Sequence, residues 1–197
     1  MTHSFIYALI SMCFAGANDT LFKKQAISGD CKSQYMVIAG VTWAFVFICL
    51  AFYNGYYIPT RETIIWTATI GILSAFANYM LIASMRKLEA SIASTIYRLN
   101  FVLASIIAFI FLSESVTLFK IIGLLLACSA VFCFAQHQRK ILIKGVWPVL
   151  FVVVIASAMR AVYGTCYKFA LARDVQYLWL LSGPGLGWAV LGSITAI

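Results

Sequence analysis

Two arginines stand where a chain this apolar has least room for them. Arg98 and Arg160 each lie well inside a long hydrophobic stretch. A charged side chain at mid-helix in a bilayer costs ~2.5–3.5 kcal/mol on insertion scales, so it faces a cavity or a partner. Arg160 is the stronger of the two, midway along its stretch and too deep to snorkel to either end. At helical spacing its face also carries Ser157, Tyr163, Gly164 and Tyr167, a polar stripe wide enough to line a water-filled site. The alternative reading is a structural ion pair within the bundle; the stripe favours the cavity. A guanidinium there holds a carboxylate or phosphate bidentately, with Tyr163 or Asn78 to orient it.

Other polar groups are placed less clearly. Ser91, Ser94, Thr95 and Ser105 share the face of Arg98, with Asn100 roughly opposite, and the hydroxyls read equally well as close-packing helix contacts. Asn78 stands on a face with Thr67, Gly71 and Ser74, which is either a cavity wall or a small-residue contact. Asn18 and Asp19 lie about one turn from Lys23, so Asp19 is a candidate proton-coupling group or a local partner of that lysine. Glu114, in Ser113-Glu-Ser-Val-Thr117, reads as a cap or anchor for a turn. Gly183-Pro184-Gly185 predicts a broken or hinged helix, since proline removes a backbone donor and glycine loosens the chain, with a plain kink as the commoner outcome of such a sequence. Substrate-binding candidates are therefore Arg160, Tyr163, Arg98, Asn78, Ser157 and Asn18, with Asp19 as a possible coupling group.

These residues must be carried by seven apolar spans: Ser4–Phe22, Gln34–Tyr53, Thr63–Met85, Ala90–Leu112, Thr117–Gln136, Val146–Leu171 and Gln176–Ile197. Each is close to the ~20 residues a helix needs to cross a ~30 Å hydrocarbon core. The chain is 63% hydrophobic and 10% charged, which leaves these segments without the polar outer face of a soluble helix. Continuous runs of this length also exclude the alternation of a membrane barrel. The fold class is an all-α, polytopic helical membrane protein with the lipid bilayer as its first partner.

The net charge of +8 sits mostly in connections, which argues for topology and against nucleic acid. Lys23, Lys24, Lys32, Arg86, Lys87, Arg139, Lys140 and Lys144 fall on one side, and Arg61, Lys120 and Arg173 on the other. The positive-inside bias puts the odd-numbered connections in the cytoplasm and the N-terminus outside. Tyr53, Tyr56, Tyr57, Trp66 and Trp147 collect at span ends as an interfacial belt. Cys13, Cys31, Cys49, Cys128, Cys133 and Cys166 are scattered without a C-x-x-C pair, so neither a disulfide framework nor a metal site is expected. His3 and His137 lie outside the spans, and no H-E-x-x-H, G-x-S-x-G or nucleotide-binding motif occurs. An enzyme is not expected, nor any cofactor. A small intramembrane lipid-modifying enzyme, a channel and a non-transporting accessory subunit are the alternatives to a solute carrier.

A faint internal repeat bears on that choice. Thr20-Leu-Phe-Lys23 aligns with Thr165-Cys-Tyr-Lys168, and the same offset of 145 residues aligns Gly40-x-x-Trp43-Ala44 with Gly185-x-x-Trp188-Ala189. Five spans separate the copies, and an odd number inverts the second copy in the membrane. Inverted repeats around a midplane site are a transporter architecture.

The segment from Ala90-Ser-Ile-Ala-Ser through Phe-Leu-Ser-Glu114-Ser-Val-Thr-Leu-Phe-Lys-Ile-Ile-Gly123 resembles the end of the EamA domain of drug/metabolite transporters, and Gly16-x-Asn18-x-x-x-Phe22-Lys-Lys24 is similar to its first-span pattern. The likeness covers about Phe5–Gln136 and the opening of a second copy. Ala15 replaces a usual tryptophan, and a proline common in span four is replaced near Asn100-Phe101. The resemblance implies a five-helix EamA-like repeat over 1–137 and the first two helices of an inverted second repeat over 138–197. It also implies a secondary transporter working by alternating access in a plasma (bacterial inner) membrane. Two full repeats would need about 280 residues, so a missing C-terminal half or a pairing copy that makes a homodimer is expected. The resemblance sets the N-terminus in the cytoplasm, against the charge count. Arg98, Arg160 and Lys168 outweigh Asp19 within the spans, which points to a small organic anion or zwitterion, amino-acid-like or a sugar phosphate.

Overall fold

A computed structural model describes residues 2–27, 32–111, 117–137 and 147–196. All regular structure among them is helical: α1 (Thr2–Ile27), α2 (Lys32–Tyr53), α3 (Arg61–Ser84), α4 (Ala90–Arg98), α5 (Asn100–Phe111), α6 (Leu118–His137), α7 (Trp147–Leu171) and α8 (Tyr177–Thr195). Because α4 and α5 are two parts of one span, the eight segments make seven rods. Five rods are long and apolar enough to cross a membrane: Ser33–Tyr53, Arg61–Ser84, Ala90–Phe111, Trp147–Leu171 and Tyr177–Thr195. The apolar part of α6 is described over Leu118–Ala130, and α1 carries Asn18, Asp19, Lys23 and Lys24 toward its end. Asp30 and Cys31, the Glu114 turn and the basic run Arg139–Lys144 lie outside the described residues.

The helix ends follow from local chemistry. Thr60 caps α3, its hydroxyl accepting from Thr63 N at 3.2 Å, with Glu62 in the positive first turn. α2 closes on Gly55, whose φ of 82° lets Tyr56 N reach Ala51 O and Gly55 N reach Phe52 O. That is the Schellman arrangement, and glycine takes its left-handed position without steric cost. Lys23 of α1 donates to Met85 O and Leu88 O at 2.7 and 2.8 Å, satisfying carbonyls at and beyond the end of α3. Asp19 is thus not the partner of Lys23 that their spacing suggested.

The bundle is built around α8, which runs antiparallel to α2 and parallel to α3, with α7 on the other side of α3. Glycines make the approach possible. A Cβ on Gly71 would lie 2.5 Å from Gly183 O, and one on Gly183 would lie 2.6 Å from Thr67 O. The α2–α8 contact is two-fold. A Cβ on Gly40 would meet Ala189 N at 2.5 Å and Gly185 O at 2.6 Å, whereas one on Gly185 would meet Ala44 N at 2.6 Å and Gly40 O at 2.7 Å. Exchanging 40 with 185 and 44 with 189 maps one set of contacts onto the other.

Two expectations are corrected. The Gly183-Pro184-Gly185 segment does not break its helix; α8 continues from Tyr177 to Thr195 with Pro184 inside it. Proline at 184 leaves Leu180 O without its usual donor, and the Tyr167 hydroxyl supplies one at 3.1 Å. The indole of Trp43 donates to the next carbonyl, Leu181 O, at 2.8 Å. Neighbouring side chains thus satisfy the backbone that proline disturbs, as a helix in lipid requires. The flanking glycines serve close packing. Conversely, the span expected to be continuous is interrupted: at Leu99 the chain tightens to three-residue bonds, Leu99 N to Ile96 O and Val102 N to Leu99 O. The turn changes the register between α4 and α5, so Asn100, expected opposite Arg98, lines the same recess.

Two apolar clusters close the bundle. Phe22, Met36, Leu81, Ile82, Met85, Tyr97 and Val153 form one, and Ile70, Ala170, Val175 and Leu180 the other. Tyr35 and Trp188 pack on the first, Tyr163 and Tyr167 on the second. The space between belongs to the polar residues.

Candidate functional site

A cavity of about 480 Å³ opens between α1, α2, α3, α7 and α8. Helix α7 contributes Arg160, Tyr163 and Tyr167, spaced at three and four residues so that one face presents all three. Helix α2 contributes Tyr35, Ala39 and Trp43, and α8 contributes Leu181, Pro184, Gly185 and Trp188. Asn18 of α1 and Ser74 and Asn78 of α3 complete the wall. Its size falls in the range of small-molecule sites, and its make-up is theirs too, mostly apolar with a few convergent polar groups.

The Arg160 guanidinium lies 4.5 Å from the centre of the Tyr163 ring. This stacking steadies the cation without neutralising it. Among the described residues no carboxylate is within ion-pair distance of Arg160. Tyr163 and Tyr167 meet edge to face at 5.2 Å, and Phe22 braces Tyr35 and Trp188 from behind at 6.2 and 5.8 Å. Asn78 is held on both sides: its amide donates to Ser74 O at 2.8 Å and its carbonyl accepts from the Tyr97 hydroxyl at 3.4 Å. The Tyr35 hydroxyl reaches Asn18 Oδ1 at 3.5 Å.

A smaller recess of about 100 Å³ lies behind, lined by Asp19, Tyr97, Arg98 and Asn100 and sharing Asn18, Asn78 and Arg160 with the large cavity. Here Arg98 Nη2 and Asp19 Oδ2 form an ion pair at 2.7 Å, the Asp19 side chain 14% exposed and that of Arg98 35%. The pair joins α1 to the last residue of α4, where the span bends. Asn100 Oδ1 is buried without a hydrogen-bond partner among the described residues. The two deep arginines therefore differ in kind: one is neutralised by the protein, and the other faces a cavity with no counter-charge among the described residues.

The EamA-like transporter family model matches residues 3–136. The chain belongs to the EamA-like transporter family. It is accordingly an integral membrane protein of a transporter family, with all-helical architecture. No curated protein and no solved structure matches it.

Within this EamA-like chain the sequence-derived candidates separate. Arg160, Tyr163, Asn78 and Asn18 come together around the large cavity. Arg98 and Asp19 come together in the recess. Ser157 joins neither; it is buried with its hydroxyl unpartnered among the described residues. The aromatic wall of Tyr35, Trp43 and Trp188 was not among the candidates. Trp43 and Trp188 belong to the two aligned Gly-x-x-Trp-Ala segments, which pairs them in the repeat without distinguishing a cavity wall from a lipid face.

Proposed function

We propose that this protein is a secondary transporter that moves a small organic anion or zwitterion by alternating access, with Arg160 as the anchor for the substrate's negative group. The supporting observation is the contrast between the two arginines: Arg98 has Asp19 at 2.7 Å, whereas Arg160 stands over Tyr163 at the wall of a 480 Å³ cavity with no acidic partner among the described residues. A substrate carboxylate or phosphate supplies the missing charge through paired N–H···O bonds. Asn18 lines both cavity and recess, so the Asp19–Arg98 pair borders the space next to the cavity, which supports a coupling role for it. Protonation of Asp19 would release Arg98, so that pair is the candidate coupling element.

The two-fold contact of α2 with α8 supports a division into a first five-span repeat, 1–137, and the beginning of an inverted second repeat, 138–197. Helices related in this way put a substrate site near the midplane, at the repeat interface. We place the protein in a plasma membrane, bacterial inner in type, with the bilayer, a small-molecule substrate and a second copy or further helices as its partners. Proteoliposomes holding the full-length protein are expected to show substrate exchange or gradient-driven uptake without ATP. Arg160→Gln should weaken anion binding at least tenfold, about 1.4 kcal/mol. ATP-dependent flux from the purified protein, or unchanged affinity in a folded Arg160→Gln variant, overturns the proposal.

A further inference from the structure

We infer that the cavity is built for an aromatic carboxylate without an ammonium group, an inference that rests on Arg160 being the anion anchor. Three features of the wall carry it.

The first is that rings make up much of the lining and are fixed in place. Tyr35, Trp43, Tyr163, Tyr167 and Trp188 all border the cavity. Phe22 holds Tyr35 and Trp188 from behind, and Tyr163 holds Tyr167. Rings already locked by packing present flat faces at little further entropic cost, the condition for stacking a planar ligand body.

The second is that much of the wall's polar capacity is committed to the protein. The Tyr167 hydroxyl donates to Leu180 O, which Pro184 leaves without its helical donor, and the Trp43 indole donates to Leu181 O. The Tyr35 hydroxyl is on Asn18, and Asn78 is held between Ser74 and Tyr97. A sugar phosphate would bring several hydroxyls into this space, each giving up water for a wall whose unpartnered indole donor, Trp188 Nε1, can serve only one of them. Buried polar groups left in that state weigh against binding. The sugar phosphate included among the sequence-based expectations is therefore disfavoured.

The third concerns charge. No acidic residue lines the large cavity among the described residues; Asp19 borders only the recess behind it and is occupied by Arg98. An α-ammonium group would enter a space whose one formal charge, among the described residues, is the Arg160 guanidinium. Repulsion and loss of hydration then oppose a zwitterion, while a bare carboxylate gains both the charge and the paired hydrogen bonds of that guanidinium.

The test is binding to the full-length protein in nanodiscs, by calorimetry, with four probes: 3-phenylpropionate, 3-cyclohexylpropionate, phenylalanine and glucose 6-phosphate. 3-Phenylpropionate is expected to bind at least tenfold tighter than phenylalanine and glucose 6-phosphate, and at least threefold tighter than its saturated analogue. Phenylalanine binding as tightly would show that an acidic group serves the cavity, and would overturn the inference. Tighter binding of glucose 6-phosphate, equal binding of the cyclohexyl compound, or no binding of 3-phenylpropionate at millimolar concentration would overturn it as well. Arg160→Gln and Arg160→Lys, checked for folding by thermal unfolding, separate this inference from its foundation. The expected ranking with affinity indifferent to both substitutions would remove Arg160 as anchor while keeping the aromatic carboxylate class. A different ranking that still depends on Arg160 would do the reverse.

Discussion

Removing one oxygen atom, in Tyr167→Phe, isolates the device that keeps α8 continuous. Leu180 is fully buried and its carbonyl lies four residues before Pro184, which has no N–H to offer. The Tyr167 hydroxyl at 3.1 Å is the donor that replaces it. A buried acceptor left unpaired costs about 1–3 kcal/mol in proteins generally, whereas hydrogen bonds between membrane helices average ~0.6 and reach ~1.7 kcal/mol because partners are often exchanged. Exchange is restricted here, because the backbone alternative has been deleted by proline. Tyr167→Phe should therefore cost about 1.5 kcal/mol, near the upper end of the membrane range. In a Pro184→Ala background the residue-184 N–H can close on Leu180 O, and the same substitution should cost no more than about 0.5 kcal/mol. The double-mutant cycle, read by reversible unfolding in mixed SDS and detergent micelles, should give a coupling of about 1 kcal/mol. Equal costs in the two backgrounds, within about 0.3 kcal/mol, would refute the link between the hydroxyl and the proline.

Three further outcomes are expected. Gly71→Ala, which sets a Cβ 2.5 Å from Gly183 O, should destabilise by about 1–3 kcal/mol or more, whereas Gly164→Ala, with nothing within 4 Å, should be neutral or gain up to about 1 kcal/mol; thermal unfolding of the pair reads the contrast. Asp19→Asn leaves Arg98 without its counter-charge. Because the Arg98 side chain is 35% exposed the cost should be about 1–2 kcal/mol, less than the 3–5 kcal/mol of a fully buried broken pair, and adding Arg98→Gln should recover most of it in the same assay. If the charge-based orientation holds, a cysteine placed at exposed Asn54 is labelled from outside the cell by a membrane-impermeant thiol reagent, and labelling only from the cytoplasmic side would establish the opposite orientation.

Fold class was legible because membrane helices are written in hydrophobicity along the chain, and each rod announces itself by length. The polar half of the site was legible for the related reason that Arg160 and Asn78 are costly in lipid and must be facing something. Aromatic residues give no such signal. Tyr35, Trp43 and Trp188 are as comfortable against lipid as in a cavity wall, so only the contacts of their helices distinguish the two. Asp19 meeting Arg98 was hidden for a different reason: the partners are far apart in sequence, and their approach depends on how α1 packs against α4. Local rules also misjudged two backbone features, in opposite directions. Proline at 184 suggested a break that tertiary hydrogen bonds repair, and the turn at Leu99 falls in a segment whose hydropathy runs on without interruption.

The proposed repeat also explains why the two halves of the α2–α8 contact are chemically unequal. Under the 145-residue offset Pro184 corresponds to Ala39, and Tyr167 to Phe22. Ala39 keeps its N–H, so the α2 backbone has no orphaned carbonyl at that position and needs no hydroxyl from its neighbour; Phe22 has none to give. Pro184 creates the need, and Tyr167 answers it. The two tryptophans diverge in the same way. Trp43 donates to Leu181 O beside the proline, whereas Trp188, facing the undisturbed helix, has its indole nitrogen buried without a partner among the described residues. Both Ala39 and Pro184 line the cavity, so the position at which the copies differ in backbone chemistry lies on its wall. A proline and a tyrosine hydroxyl added together to one copy would leave the two-fold packing of Gly40 and Gly185 intact while making the space between the copies one-sided. The same offset sets Arg160 against Ala15, so the charge of the wall is one-sided as well as its backbone chemistry.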